Sequence, residues 1–220
     1  MNIEKNIRQF VNGEGKNQGR KPTERYSSFD YCFNYFQSFR DKNRVSDLAK
    51  STQIQESCLQ LGFYLASWGM LRGSSFLLEK SVKYYENLIF GISSFDNRIW
   101  TIDIDCYTDK NISMLLDCKE MIADSLGKSN NPSDTLITKI MLGVFGNTPA
   151  FDSFFRQGFG IQSFGRKSLT KISDFYQQNK NIIDKYDIFT FDFATGEKTK
   201  RKYTKAKLID MIGFVEGQNA

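Results

Sequence analysis

Apolar residues recur along most of this chain at the spacing of an α-helix. In the stretch 131–156 a single apolar face is formed, at i, i+1, i+4, i+5 and i+8, by Leu136, Ile137, Ile140, Met141 and Val144. Helical spacing also occurs in residues 2–11, 23–39, 45–66, 76–90, 112–126, 169–183 and 205–214. The pattern predicts a mainly α-helical protein with about eight helices.

Strand-like alternation of apolar and polar residues occurs late in the chain. Residues 188–193 alternate cleanly, residues 194–197 are typical of a turn, and the basic residues 198–203 follow as a return strand. This order predicts a β-hairpin. Residues 100–107 also alternate, and there the pattern is compatible with either a short strand or a helical turn.

The domain organisation follows from the length of the chain and from a polar break near its start. A chain of 220 residues is long enough for one large domain or two small ones. No internal repeat divides it, and the polar, glycine-rich residues 12–22 predict a mobile loop. We therefore predict a single multi-helix domain over residues 1–220, mainly α, with a small C-terminal β-hairpin around residues 188–203.

The central stretch carries its own start and stop signals. Residues 131–134, Asn-Pro-Ser-Asp, combine capping side chains with a proline, and Gly146 is typical of a helix end. Thr148 and Pro149 then predict a new N-cap and first helical residue. This spacing predicts that Asp152 lies in the first turn of a second helix.

Overall composition is that of a soluble globular protein. The hydrophobic fraction is 40% and the charged fraction 25%, both ordinary for that class. No run approaches the roughly 20 apolar residues that span a bilayer, and the first residues lack the apolar core of a signal peptide. We expect a cytoplasmic protein without a membrane partner.

The residues available for chemistry are restricted. The chain has no histidine, which excludes imidazole-based triads and the usual zinc enzymes. Cysteines occur singly, without a C-x-x-C pair, at Cys32, Cys58, Cys106 and Cys118. Asp103 and Asp105 could share one side of a strand, but no third metal ligand lies nearby. We expect neither a metal nor a cofactor, so chemistry must use Asp, Glu, Lys, Tyr or Cys.

Charge and aromatic content are compatible with a nucleic-acid partner. The net charge is +5, with 20 Phe, 10 Tyr and 2 Trp residues, and phosphates need cations while unstacked bases need flat partners. The densest positive cluster includes Lys200, Arg201 and Lys202 in the predicted hairpin, with Lys205 and Lys207 just beyond. The alternative is a phenylalanine-rich core under a solvated, lysine-rich surface.

Two further segments contain candidate binding residues. Trp68 and Arg72 lie in a glycine-containing corner, where the indole could stack on a base and the guanidinium could bind phosphate or carboxylate. Glu24, Arg25 and Tyr26 lie at the edge of an aromatic helical stripe and could face a cleft. The alternative for both segments is ordinary helix packing.

One short segment resembles a known family. Residues 138–156, Thr-Lys-Ile-Met-Leu-Gly-Val-Phe-Gly-Asn-Thr-Pro-Ala-Phe-Asp-Ser-Phe-Phe-Arg, resemble the helix–hairpin–helix DNA glycosylases. In that family a helix ends in a small-residue turn, and an aspartate shortly afterwards is catalytic. The resemblance assigns this role to Asp152. It departs from the family in residues 129–134, which lack the hairpin glycine, in having no counterpart of the hairpin lysine, and in lacking the cluster cysteines.

The resemblance implies a monofunctional or diverged glycosylase that removes a damaged or modified base, flipped from double-stranded DNA, in repair or anti-phage defence. Asp152 would stabilise the positive charge that develops on the sugar, or activate water; such chemistry needs no histidine and no metal. Base binding is assigned to Trp68, Arg72, Glu24, Arg25 and Tyr26. DNA contacts are assigned to Lys139, Arg156, Arg166, Lys167, Lys200, Arg201 and Lys202. The alternatives are a non-catalytic nucleic-acid-binding protein and a helical protein-interaction module.

Overall fold

The computed structural model describes residues 1–14 and 19–220. Within this part of the chain it contains nine α-helices and one antiparallel β-hairpin. In chain order they are α1 (Ile3–Asn12), α2 (Ser28–Asp41), α3 (Ile54–Ser67), α4 (Glu86–Ser94), α5 (Asp109–Ser125), α6 (Asp134–Phe145), α7 (Ser153–Phe159), α8 (Arg166–Ile183), β1 (Phe189–Phe191), β2 (Lys198–Lys202) and α9 (Lys205–Asn219). The predicted mainly α fold with a late hairpin is confirmed.

Two predicted helices differ from the observed elements. The helix predicted over 76–90 is two 3-10 turns, Phe76–Glu79 and Val82–Tyr85, followed by α4, because the backbone is extended at residues 80 and 81. The helix predicted over 45–66 likewise begins with a 3-10 turn, Val45–Ala49. Of the two alternatives for the alternating residues 100–107, the helical turn is observed, as parts of two short 3-10 turns.

The alternation in residues 100–107 has a specific cause. Ile102 and Ile104 are buried, and between them the Asp103 carboxylate accepts the backbone N–H groups of Lys205 (2.7 Å) and Ala206 (2.8 Å). Asp103 therefore caps the first turn of α9 from a distant part of the chain. Burial raises the pKa of this carboxyl to about 6, although its three backbone hydrogen bonds oppose the rise.

Helices α6 and α9 form the centre of the molecule. Every residue from 136 to 145 in α6 is buried, as is every residue from 206 to 215 in α9. Helix α6 packs against α2, α3 and α5, and α9 packs against α1 and α7. A helix that is buried on all sides belongs in the core, so charged side chains on α6 and α9 need internal partners.

The contact between α7 and α9 depends on glycine. A Cβ atom added at Gly217 would overlap the carbonyl oxygen of Phe154, and one at Gly158 would overlap that of Gly213. The two helices therefore meet backbone to backbone, which leaves no room for a side chain. This contact fixes the position of α7, which begins directly after Asp152.

The hairpin is held to α2 by a buried ion pair. Arg20 pairs with Asp30 at 2.5 Å, and the same carboxylate accepts the hydroxyl of Tyr203 (2.5 Å) and the N–H of Phe191 (2.9 Å). Residues 15–18 of the loop predicted around 12–22 lie outside the described residues. Arg20, expected in that mobile loop, is buried instead, because its guanidinium joins the hairpin to α2.

No helix in the described part of the chain is long and apolar enough to cross a membrane.

Candidate functional site

Asp152 lies at the junction of α6 and α7. Ser133 caps the start of α6 and Gly146, with φ 68°, ends it. The Asp152 carboxylate Oδ1 then accepts the N–H of Phe155 at 3.0 Å, so Asp152 is the N-cap of α7. The sequence signals around Asp152 thus gave the right helix but placed its start too early.

The later start of α7 has a physical reason. The N–H of Ala150 is bonded to the Asp210 carboxylate (3.0 Å) and the N–H of Phe151 to the Thr138 hydroxyl (2.8 Å). Both amides are satisfied by side chains of other helices, so this segment stays outside the helix. Thr148, predicted as the N-cap, is buried in the same segment.

Asp152 forms an ion pair with a buried lysine. The Nζ atom of Lys139, on α6, is 3.1 Å from the Asp152 Oδ2 atom, and the lysine side chain is only 4% exposed while the aspartate is 17% exposed. Removing a charge from water is costly unless it is paired. The pair therefore combines a carboxylate and an amine at one partly accessible point.

A second ion pair lies beside the first. Lys207 and Asp210 on α9 are 2.7 Å apart, and the lysine side chain is 1% exposed. The Lys207 ammonium also lies 4.8 Å from the ring centroid of Phe29 and 5.5 Å from that of Trp68, which is within cation–π distance. Because Asp210 also holds the Ala150 amide, this pair fixes the segment that leads to Asp152.

Trp68 covers both ion pairs. Its ring centroid is 4.9 Å from Lys139 Nζ, and it stacks on Tyr26 at 5.6 Å with an interplanar angle of 8°. Arg25, which is exposed, extends its guanidinium to 5.2 Å from the same ring. Trp68 Nε1 is buried and has no hydrogen-bond partner within residues 1–14 and 19–220.

We call the small cavity beneath this ring the Trp68 pocket. Its walls are formed by Tyr64, Trp68, Lys139, Leu142, Ala150, Asp152, Lys207, Asp210 and Phe214. The volume that the centre of a water molecule can occupy in this cavity is about 10 Å³. This is about enough for one water molecule. The structure therefore describes a closed pocket with charged walls.

Five of the predicted site residues meet at or beside this pocket, and two do not. Asp152, Trp68 and Lys139 line it, and Tyr26 stacks on its covering ring, with Arg25 at the rim. Arg72 lies against Gly69 and lines a neighbouring groove. Glu24 precedes the 3-10 turn Arg25–Ser27 and is not among the pocket residues.

The predicted DNA-contacting residues are dispersed. Arg156 donates to the Gln162 carbonyl at 3.2 Å, and Arg166 pairs with Asp109 at 3.0 Å. Lys167, Lys200 and Lys202 are exposed. Arg201 differs from the expectation of an exposed cluster: it is half-buried, because it pairs with Asp41 (3.0 Å) and donates to Asn34 (3.1 Å) on α2.

The α9 half of the pocket was not predicted from the sequence. Lys207 was counted in the exposed basic cluster, and Asp210 was not singled out. A usable signal was present: the two charges lie three residues apart in a run that is otherwise apolar, Leu208, Ile209, Met211 and Ile212. An isolated Lys–Asp pair in such a run indicates a buried ion pair.

The chemical options of the pocket are those of a carboxylate next to an amine. Burial raises the pKa of the Tyr64 phenol well above its usual range, so this pocket residue stays protonated at neutral pH. In the described part of the chain no group of three or more His, Cys, Asp or Glu side chains could hold a metal ion.

Comparisons of the chain with protein-family models, with curated proteins and with solved structures each gave no significant match. Function is therefore inferred from the chemistry of the pocket and its surroundings.

Proposed function

We propose that this protein is a DNA glycosylase-like enzyme that removes a damaged or modified base, in cytoplasmic repair or anti-phage defence. The observation that carries the proposal is the Lys139–Asp152 pair, with its atoms 3.1 Å apart under an aromatic ring and next to an exposed arginine. A carboxylate and an amine held together at a pocket can serve in proton transfer or nucleophilic attack. Cleavage of a base–sugar bond needs a carboxylate, a flat binding surface and backbone cations, and the surroundings of Asp152 offer the first two.

The proposed reaction uses Asp152 as its central group. The C1′–N bond breaks with its electron pair on the departing base, and positive charge develops on the sugar. A fixed carboxylate at this point stabilises that charge. A water oxygen then bonds to C1′, and the proton that it loses is taken up by the base, so that the products are a free base and an abasic sugar.

Lys139 allows a second route. The family resemblance offered no lysine in its hairpin, but the Lys139 amine lies within reach of the same carboxylate. Once it transfers its proton to Asp152, Nζ can bond to C1′ in place of water as the base leaves with that proton. The resulting aminosugar opens to a Schiff base, which borohydride reduces to a stable protein–DNA adduct.

A base cannot occupy the pocket in its closed form. Ligand sites for drug-sized molecules measure about 300–1,000 Å³, far above the space beneath Trp68. Trp68 is only half-buried and ends α3, and the next residue, Gly69, has a φ of 75°. We propose that a displacement of Trp68 opens the pocket, and that Tyr26 then offers its face to the incoming base.

A neighbouring turn supports a DNA partner. Helices α5 and α6 are joined by residues 126–133, in which Gly127 and Asn131 have φ angles of 76° and 47°. In chain order this turn takes the place of the family's phosphate-binding hairpin, although residues 129–134 lack that hairpin's glycine. Asn131 and Ser133 of this turn line a groove together with Arg72. The groove therefore combines the N-terminus of α6 with the Arg72 guanidinium, and such a combination favours phosphate.

The deciding experiment is incubation with a panel of duplexes that carry normal, oxidised, deaminated, alkylated and otherwise modified bases. We expect alkali-labile abasic sites at one class of base, read as strand breaks on a denaturing gel. A parallel reaction with borohydride separates the two routes, because only attack by Lys139 gives a covalent adduct, and Lys139→Met abolishes it. Release of no base from any duplex would refute the proposal.

The same panel separates the two alternatives. A non-catalytic nucleic-acid-binding protein retains DNA with an affinity that falls steeply with salt but yields no abasic site. A helical protein-interaction module shows neither property.

A further inference from the structure

The hairpin tip presents an exposed aromatic ring to which no role has been assigned so far. Phe193, the second residue after β1, is 81% exposed. Its ring touches the protein edge-on at Tyr31, with centroids 5.2 Å apart, and the Tyr31 hydroxyl donates to the Pro22 carbonyl at 2.5 Å. The ring therefore has one aromatic neighbour, and most of its surface is open to solvent.

The backbone that carries Phe193 is ordered by hydrogen bonds. The Asp192 carboxylate accepts the N–H of Ala194 (3.1 Å) and both the N–H (2.9 Å) and the hydroxyl (3.0 Å) of Thr195. These bonds lower the pKa of Asp192, so the turn keeps its charged acceptor at neutral pH. An apolar ring that stays this exposed on an ordered turn gains little from burial, so it is available to a binding partner.

The strand behind the tip has one basic face. Lys198, Lys200 and Lys202 are exposed at alternate positions of β2, whereas Thr199 and Arg201 face inward. Lys202 pairs with Asp187 at 2.7 Å. Lys198 and Lys200 have no ion-pair partner within the described part of the chain. Two amines are therefore available near the ring.

The inner face of the hairpin is fixed to the domain. Thr190 and Thr199 share a hydrogen bond of 2.6 Å, and Arg201 reaches Asp41 on α2. Together with the Arg20–Asp30 pair, these contacts hold the hairpin as a rigid platform. Its outer face presents cations and its tip presents a ring.

This combination fits a nucleic acid with unstacked bases. Single-strand binders pair a stacking aromatic with cations along the backbone. An apolar protein or lipid partner would instead favour a contiguous apolar patch, and the neighbours of Phe193 at the tip, Asp192, Thr195 and Glu197, are polar. We propose that the hairpin binds single-stranded or locally unpaired DNA, with Phe193 stacked on a base and Lys198 and Lys200 on phosphates.

The two parts of the surface have different signatures in a salt titration. A stacking ring contributes affinity but does not change the number of counterions released on binding. Phe193→Ala should therefore weaken binding of a single-stranded oligonucleotide by roughly 5- to 100-fold. The slope of log affinity against log salt should stay unchanged. Removing two phosphate contacts, in Lys198→Ala/Lys200→Ala, should reduce the slope of log affinity against log salt by about 1.4. Fluorescence anisotropy at several salt concentrations measures both.

Two variants test the specificity of the effect. Phe63→Ala removes a ring that is 73% exposed on α3 and should bind DNA like the wild type. Phe193→Leu keeps an apolar side chain but no aromatic face, so it should resemble Phe193→Ala. All four variants alter exposed side chains, and we expect melting temperatures within a few degrees of the wild type.

Several results would overturn the proposal. The first is that the wild type does not bind single-stranded DNA. The second is that Phe193→Ala and Phe63→Ala bind with equal affinity, or that Phe193→Leu binds as tightly as the wild type. The third is that the protein binds anionic lipid vesicles in preference to DNA, through Phe193. The proposal does not depend on base excision: an Asp152→Asn protein should still show all of these binding effects, and loss of excision alone would leave them unchanged.

Discussion

Replacing Asp152 with Asn should lower the rate of base excision by about 100-fold or more while DNA remains bound. The amide keeps the shape of the side chain and its bond to Phe155, but it removes the charge that would oppose the developing positive sugar. Loss of a preorganised electrostatic contact typically has an effect of this size. Binding should persist or improve, because a negative charge near phosphates is gone. Single-turnover excision and DNA affinity, measured on the same protein, provide the comparison.

The buried partner of Asp152 requires a control. Asp152→Asn leaves the Lys139 ammonium without its counterion, and we expect this to reduce stability by about 1–3 kcal/mol, since Asp152 is partly exposed. The variant Asp134→Asn is matched: Asp134 lies in the first turn of α6 and pairs with Lys119 at 2.8 Å. It should excise bases normally. An Asp152→Asn protein that folds, binds DNA and excises at the wild-type rate would exclude Asp152 from the mechanism.

Gly217→Ala should destabilise the protein by about 3 kcal/mol or more, because the added methyl group overlaps the Phe154 backbone. Overpacking usually has an effect of about 1–3 kcal/mol, and here the obstacle is main chain, which cannot rotate away. For a chain of this length such a loss lowers the melting temperature by roughly 6–12 °C. Thermal unfolding followed by circular dichroism measures it.

The matched control is another glycine with open surroundings. A methyl group at Gly165 would meet no atom within 4 Å, and its φ of −165° is extended backbone that alanine also adopts. Gly165→Ala should therefore stay within about 1 kcal/mol of the wild type. If Gly217→Ala and Gly165→Ala have the same melting temperature, α7 and α9 can move apart at little cost in stability, and the prediction is wrong.

The features that could be predicted from sequence are those with local causes. Helix α6 was identified by its apolar period and by its caps, Ser133 and Gly146, all within one short stretch. The hairpin was identified by alternation and a turn. Which face of β2 is covered could not be inferred, since it depends on Asn34 and Asp41 of α2, more than 150 residues away.

The pocket was predictable only in part, for the same reason. Asp152 and Trp68 were predicted as site residues from residue type and position, and Lys139 was predicted as a DNA contact. That the three side chains lie together depends on the packing of α3 against α6. Lys207 was misjudged because a lysine in a basic run is usually solvated. Its burial follows from the central position of α9, for which the apolar run around Lys207 and Asp210 is the local signal.

The position of Trp68 also gives the pocket an intrinsic fluorophore. The chain has two tryptophans, and the other, Trp100, is buried against Phe145 with ring centroids 4.6 Å apart. In a Trp100→Phe background, all indole emission would come from the residue that covers the Lys139–Asp152 pair. Opening of the pocket would then change the emission spectrum directly, so its rate could be followed in a stopped-flow instrument without labelling the protein or the DNA.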